Sequence, residues 1–103
     1  MIDVKLTHNS SGQLIGFTVK NHGTTHVCAA VSMLVINTVN SIESLTSIGA
    51  KGFDCNYNES GGFLTFMLKN HDRNPQAGLL LDALKLGLAS VKQEYPTEID
   101  IKE

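Results

Sequence analysis

The feature that most constrains this chain is a hydrophobic period that switches back and forth between two residues and about 3.6. Residues 2–7, IDVKLT, alternate apolar and polar, the period of a strand with one buried face. HNSSG (8–12) is a turn cluster and QLIGFTVK (13–20) alternates again, so the two segments predict a hairpin. Gly16 inside the second strand marks a bulge or a close backbone approach. From Val27 the period lengthens: Val27, Ala30, Val31, Leu34, Val35, Val39, Ile42 and Leu45 form the stripe of a helix with one buried face. Thr24 or Thr25 is the expected N-cap, and Gly49 the expected stop.

Period two returns in KGFDCNYN (51–58) and in GGFLTFMLK around the ESGG turn, a second hairpin. Asn74 then caps a second helix with Pro75 in its first position, where the missing N–H costs nothing. Ala77, Leu80, Leu81, Leu84, Leu88 and Val91 supply its stripe, Pro96 ends the region, and EIDIK (98–102) alternates as a last strand. The order ββαββαβ predicts an α+β fold, an antiparallel sheet with two long helices packed on it. One domain accounts for residues 1–103, with no linker between elements. Leu79 and Leu86 lie off the second stripe. They suit a homodimer contact, or are the scattered surface leucines that need no explanation.

Composition narrows the classes of function. Formal charge is −2 with a pI near 6.0, and no block of Lys or Arg offers the cationic grip that direct nucleic-acid binding needs. No apolar run approaches the ~20 residues of a membrane span, and MIDVKLTHNS alternates and is punctuated by charge, so it is not expected to be a signal peptide. The two cysteines, Cys28 and Cys55, stand in no pattern that suggests secretion, so a cytoplasmic protein with reduced thiols is expected.

The chemistry concentrates in HGTTHVC, residues 22–28. Cys28 falls in the first turn of a helix, where unpaired N–H groups and the positive end of the dipole favour an anion. His22, at the end of the second strand, sits across a loop short enough to fold back on it. A thiolate with a single histidine partner suffices for nucleophilic catalysis, while a free cysteine is as readily a packing residue. His26 either approaches Cys28 or is an exposed loop histidine. With His22 and Cys28 it makes H-x3-H-x-C, donors of the kind zinc takes; no fourth ligand is local, and neither metal nor cofactor is expected. Cys55 alternates with Phe53 and Tyr57 as a half-buried strand residue. Gly61 and Gly62 form a turn rather than a phosphate loop, because no helix follows them. His8 and His71 have no constellation around them.

HGTTHVCAAVS, His22 to Ser32, resembles the ribosomal-processing cysteine protease (Prp) family, whose members carry Gly-His at a strand end, a loop of variable length, and a helix opening V-C-A-A-V-S or close to it. The resemblance extends to the leading hairpin, NTVNSIESLT, GGFLTFML and LLLDALKLGLASVKQEYP. It implies a small dimeric α+β endopeptidase that removes the N-terminal extension of a large-subunit ribosomal protein, bacterial L27. By position it makes Cys28 the nucleophile and His22 the general base and acid. Ser32, one turn on and on the same face, either holds the thiolate or peptide by a hydrogen bond or bonds back to the carbonyl four residues earlier. The N–H of Cys28 and a neighbour are expected at the oxyanion, and Gly23, Thr24, Thr25 and His26 in a segment that closes over substrate. Three positions depart from the family pattern: Asn21 replaces the glycine before the histidine, the loop to Cys28 is short, and Thr25 replaces an aspartate found in many members. Asn21 and Thr25 motivate the other class of reading, a non-catalytic module that holds a ribosomal-protein tail or an assembly intermediate.

Overall fold

The computed structural model describes every residue except Glu59, Ser60 and Asp72, and the backbone alone of His71. The Glu-Ser half of the expected ESGG turn and the side chain of His71 therefore lie outside the described residues. Five strands form one sheet in the order β3-β4-β2-β1-β5: β1 (Ile2–His8), β2 (Leu14–Lys20), β3 (Phe53–Tyr57), β4 (Phe63–Leu68) and β5 (Ile99–Lys102). Helices α1 (Thr25–Leu45) and α2 (Pro75–Glu94) follow β2 and β4. They pack on one another and on the sheet around a single core. The expected α+β class and ββαββαβ order are what the chain adopts. The sheet is mixed, because β5 runs parallel to β1 with Ile2 opposite Ile99, while the other pairings are antiparallel.

Alternation decides which strand residues reach the helices. Ile2, Val4 and Leu6 of β1, Phe17 of β2 and Phe66 and Leu68 of β4 are buried. Phe17 and Phe66 are opposite in register and stack at 5.4 Å, and Phe53 tilts against Phe66 at 4.8 Å. Such aromatic pairs stabilise beyond the area they bury. Gly16 is the close approach anticipated for it: a Cβ there would stand 2.4 Å from the carbonyl oxygen of Phe66.

Caps and ends differ in instructive ways. Asn74 caps α2, its Oδ1 accepting from the N–H of Gln76 and of Ala77 at 3.0 Å each. Thr24 is the N-cap of α1, but its hydroxyl makes no capping bond. Helix α1 ends at Leu45, before Gly49, because Thr46 turns extended (φ −112°, ψ 164°). The Thr46 hydroxyl donates to the Ile42 carbonyl at 2.6 Å, and Ser47 N–H donates to Gln76 Oε1 at 3.0 Å. The end of α1 is thus tied to the start of α2.

Helix α1, at 21 residues with a mean hydropathy of 1.4 over its most apolar window, is long and apolar enough to cross a membrane. The expectation that no apolar run approaches a span is thus corrected: polar residues punctuate the helix without lowering its mean hydropathy below that of a span. Its stripe of Val27, Val31, Val35, Thr38 and Ile42 is buried in the fold, while Asn37, Asn40, Glu43 and Ser44 stand exposed together with Met33, Ile36 and Leu45. That distribution is the amphipathicity of a core helix.

Candidate active site

The site begins with a backbone reversal. Asn21, just after β2, has φ +70°, the left-handed region that asparagine tolerates better than most residues. Asparagine therefore takes the conformation glycine would supply, and it adds a bond: its Nδ2 donates to Asp3 Oδ2 at 2.6 Å. Its N–H donates to the Gly62 carbonyl at 2.9 Å, one rung beyond the Lys20–Phe63 pair of the β2–β4 ladder. The chain turns there, and His22 and Cys28 come to line the same groove.

Cys28 is half-buried in the first turn and a half of α1. Its Sγ accepts from the Gly23 N–H at 3.2 Å and faces the Gly23 carbonyl at 3.5 Å. The loop between histidine and cysteine thus folds back until its glycine touches the sulfur. His22 is exposed on the same groove. Its imidazole lies against the Gly61–Gly62 turn, and among the described residues no hydrogen bond joins it to Cys28 or to an acid.

The expected use of the Cys28 N–H is not available: that group donates to the Thr24 carbonyl at 2.9 Å, the first bond of the helix ladder. The reason is position. Cys28 is the fourth residue of α1, and only the first three N–H groups lie ahead of the ladder. Those belong to Thr25, His26 and Val27, which have no partner among the described residues. No residue of the first turn of α1 is itself acidic; the negative charge facing the positive end of its dipole comes from Glu98, which accepts the Thr24 N–H.

Of the other expected residues, Ser32 is exposed on the groove. Its hydroxyl makes no bond to the carbonyl four residues earlier, unlike Thr38 and Ser90, which do. Thr24, Thr25 and His26 are exposed at the helix start and do not line the groove. Among the described residues no group of three His, Cys, Asp or Glu side chains could hold a metal ion.

The groove has a volume of about 670 Å³. Its floor is the helix-facing side of the strands, with Val19, Leu64, Cys55 and Tyr57 in adjacent register. Its wall is α1 from Cys28 through Ser32 and Ile36 to Asn40. That wall runs about 18 Å at the helical rise, which an extended peptide covers with about five residues. Burial pushes the Cys55 thiol up from its ordinary value, so it stays a neutral, apolar part of the floor.

Two contributors escape the sequence. Glu98, just before β5, accepts the Thr24 N–H on its Oε1 at 3.1 Å while its carbonyl accepts the Ile2 N–H at 2.9 Å. It takes the N–H of the N-cap residue itself, the bond that the acid of a capping box makes, and leaves the N–H groups that the Thr24 hydroxyl would have capped without that cap. Gly62 is the second, approached by His22. Neither is near the His/Cys segment in the chain, and no local signal marks them.

The model of the family described as cysteine protease Prp matches residues 1–100. Ribosomal processing cysteine protease Prp of Staphylococcus aureus is 31% identical over 106 residues, covering 96% of this chain and 95% of that protein. The structure of the essential S. aureus ribosomal processing protease Prp with a covalently linked product peptide superposes with a TM-score of 0.89 at 29% identity, over 99% of this chain and 98% of that one. The same protease with a substrate peptide gives 0.87 at 28% identity, with the same coverage.

The Glu98 tie predicts that Glu98→Ala speeds hydrogen exchange at the Thr24 amide about tenfold, whereas Glu98→Gln, which keeps an acceptor of equal reach, retains most of the protection. Equal exchange in all three proteins would mean the tie does not hold the loop.

Proposed function

The chain belongs to the cysteine protease Prp family, and from that premise we propose that it cleaves the N-terminal extension of a large-subunit ribosomal protein, L27, through a Cys28–His22 dyad. As a member it is a cysteine-type endopeptidase, which sets aside the non-catalytic module. The observation that carries the finer reading is the shared groove: the Cys28 sulfur and the His22 imidazole both line a groove whose helical wall is about as long as five extended residues.

In this reading Cys28 Sγ bonds to the scissile carbonyl carbon as its proton passes to His22, and the C–N bond breaks as His22 protonates the leaving amine. Water then attacks the thioester with His22 as base, releasing the carboxylate and restoring the thiol. The oxyanion falls to N–H groups of Thr25, His26 and Val27, which are free of the helix ladder; the Cys28 N–H is already committed. Ser32, one turn along the wall with an unbonded hydroxyl, holds the peptide backbone. Gly23 leaves the sulfur as the electrophile arrives, so residues 23–26 move on binding. No cofactor enters any step.

Two further assignments belong to the same reading. The reaction takes place in the cytoplasm, where ribosomal proteins meet the nascent subunit. Two copies of the chain pair through the outer face of α2, where Leu79 and Leu86 are 70% and 72% exposed and face the same way two turns apart.

Incubated with the ribosomal protein bearing its extension, the wild-type chain is expected to yield the shortened product by mass. Cys28→Ala is expected to lose at least about four orders of magnitude in rate while still binding the uncut peptide. Cleavage by Cys28→Ala at the wild-type rate would contradict the assignment. For the pairing, sedimentation should give a dimer for wild type and a monomer for Leu86→Glu; a wild-type monomer at tens of micromolar (about the range of weak self-association) would remove the α2 interface.

A further inference from the structure

The imidazole of His22 has no hydrogen-bonding partner among the described residues that would orient it, and Thr25 stands where an acid is found in many family members. Something else must fix the ring. We propose that Gly62 does so sterically: the absence of a side chain there is the seat of the base, and Gly62 is a positioning residue for the reaction. The inference rests on the reading of His22 as the base.

One distance carries it. A Cβ at Gly62 would stand 2.6 Å from His22 Nε2, well inside the roughly 3.5–4.0 Å at which uncharged heavy atoms rest, with Cε1 at 3.3 Å and Cδ2 at 3.4 Å just beyond it. The Nε2 edge of the ring therefore lies on the bare α-carbon of the turn. The backbones cannot draw apart to relieve the clash without breaking the bond from the N–H of Asn21, the residue before the histidine, to the carbonyl of Gly62 itself. With the backbone held and the imidazole exposed, an added methyl is relieved by swinging the ring out of its place over the groove.

A plainer account is that Gly62 is glycine only because its φ is +83°. The neighbouring residue separates the two accounts. Gly61 has the same φ of +83°, yet a Cβ there would meet only Cε1 at 3.6 Å, an ordinary contact. Alanine at either position imposes the same kind of backbone strain; only at 62 does it strike the ring.

The experiment compares Gly61→Ala and Gly62→Ala in the full chain, each with and without His22→Ala, by cleavage of the extended ribosomal protein and by thermal melting. Displacement of a base by about 1 Å costs about 100-fold. Gly62→Ala is therefore expected to lower kcat about 100-fold with KM changed by less than about threefold, and Gly61→Ala to lose about tenfold less. In melting, the Tm loss from Gly62→Ala should shrink in the His22→Ala background to that of Gly61→Ala, since the methyl then has no ring to strike. Should Gly62→Ala fail to fold alone, recovery of folding with His22→Ala supports the seat, and failure in both backgrounds overturns it. Equal kcat losses at 61 and 62, or a Tm loss independent of the imidazole, also overturn it. Cleavage by His22→Ala at the wild-type rate instead removes the base reading, and the two failures are told apart because the melting cycle does not depend on cleavage.

Discussion

The arrangement of the site depends on one hydrogen bond at one unusual backbone position, the N–H of Asn21 donating to the carbonyl of Gly62. It extends the β2–β4 ladder by a residue and fixes the point at which the chain leaves the sheet. With Asn21 at φ +70° the next residue turns over the groove rather than continuing along the strand direction. Every later placement follows from that reversal. His22 rests on the opposing turn, Gly23 returns to the sulfur of Cys28, and Thr24 opens α1.

A short loop has few bonds of its own, and here the missing ones come from across the fold. Parallel pairing of β5 with β1 brings Glu98 under the start of α1, where its carboxylate takes the Thr24 N–H. The same residue's carbonyl takes the Ile2 N–H, so sheet edge and helix start are joined through one side chain and one peptide group. The site is consequently a meeting of remote segments: residues 21–28, the 61–62 turn and the residue before the last strand. The groove between α1 and the strands combines an apolar floor, on which peptide side chains can be buried, with a polar, backbone-rich end at His22 and Cys28.

Much of this was legible beforehand. Hydrophobic period gave the element order, and Asn74-Pro75 marked the start of α2 because capping is a local interaction. The segment holding His22, Cys28 and Ser32 was visible for the same reason, being contiguous or one helical turn apart. Legibility stopped where distance in the chain began. The direction of β5 depends on which edge it meets, and EIDIK reads the same for either. The end of α1 at Thr46 depends on Gln76, thirty residues on. The loss of the Cys28 N–H to the helix ladder follows from where the helix starts, a boundary known from sequence only to within a few residues. Gly61-Gly62 looked like any hairpin turn, since nothing in it names the ring that leans on it.

The central proposal is that the sulfur at the start of α1, which Gly23 touches and which shares its groove with His22, is chemically competent, whereas the sulfur on the groove floor is not. Both thiols of one chain can be compared in one tube, by following iodoacetamide alkylation of Cys28 and Cys55 at neutral pH with mass spectrometry. Burial raises the Cys55 thiol, which leaves little thiolate there to react. The account predicts that Cys28 is alkylated about tenfold faster or more than Cys55, and that His22→Ala abolishes most of the difference. Equal rates at the two cysteines, or a Cys28 rate indifferent to the loss of His22, would contradict it.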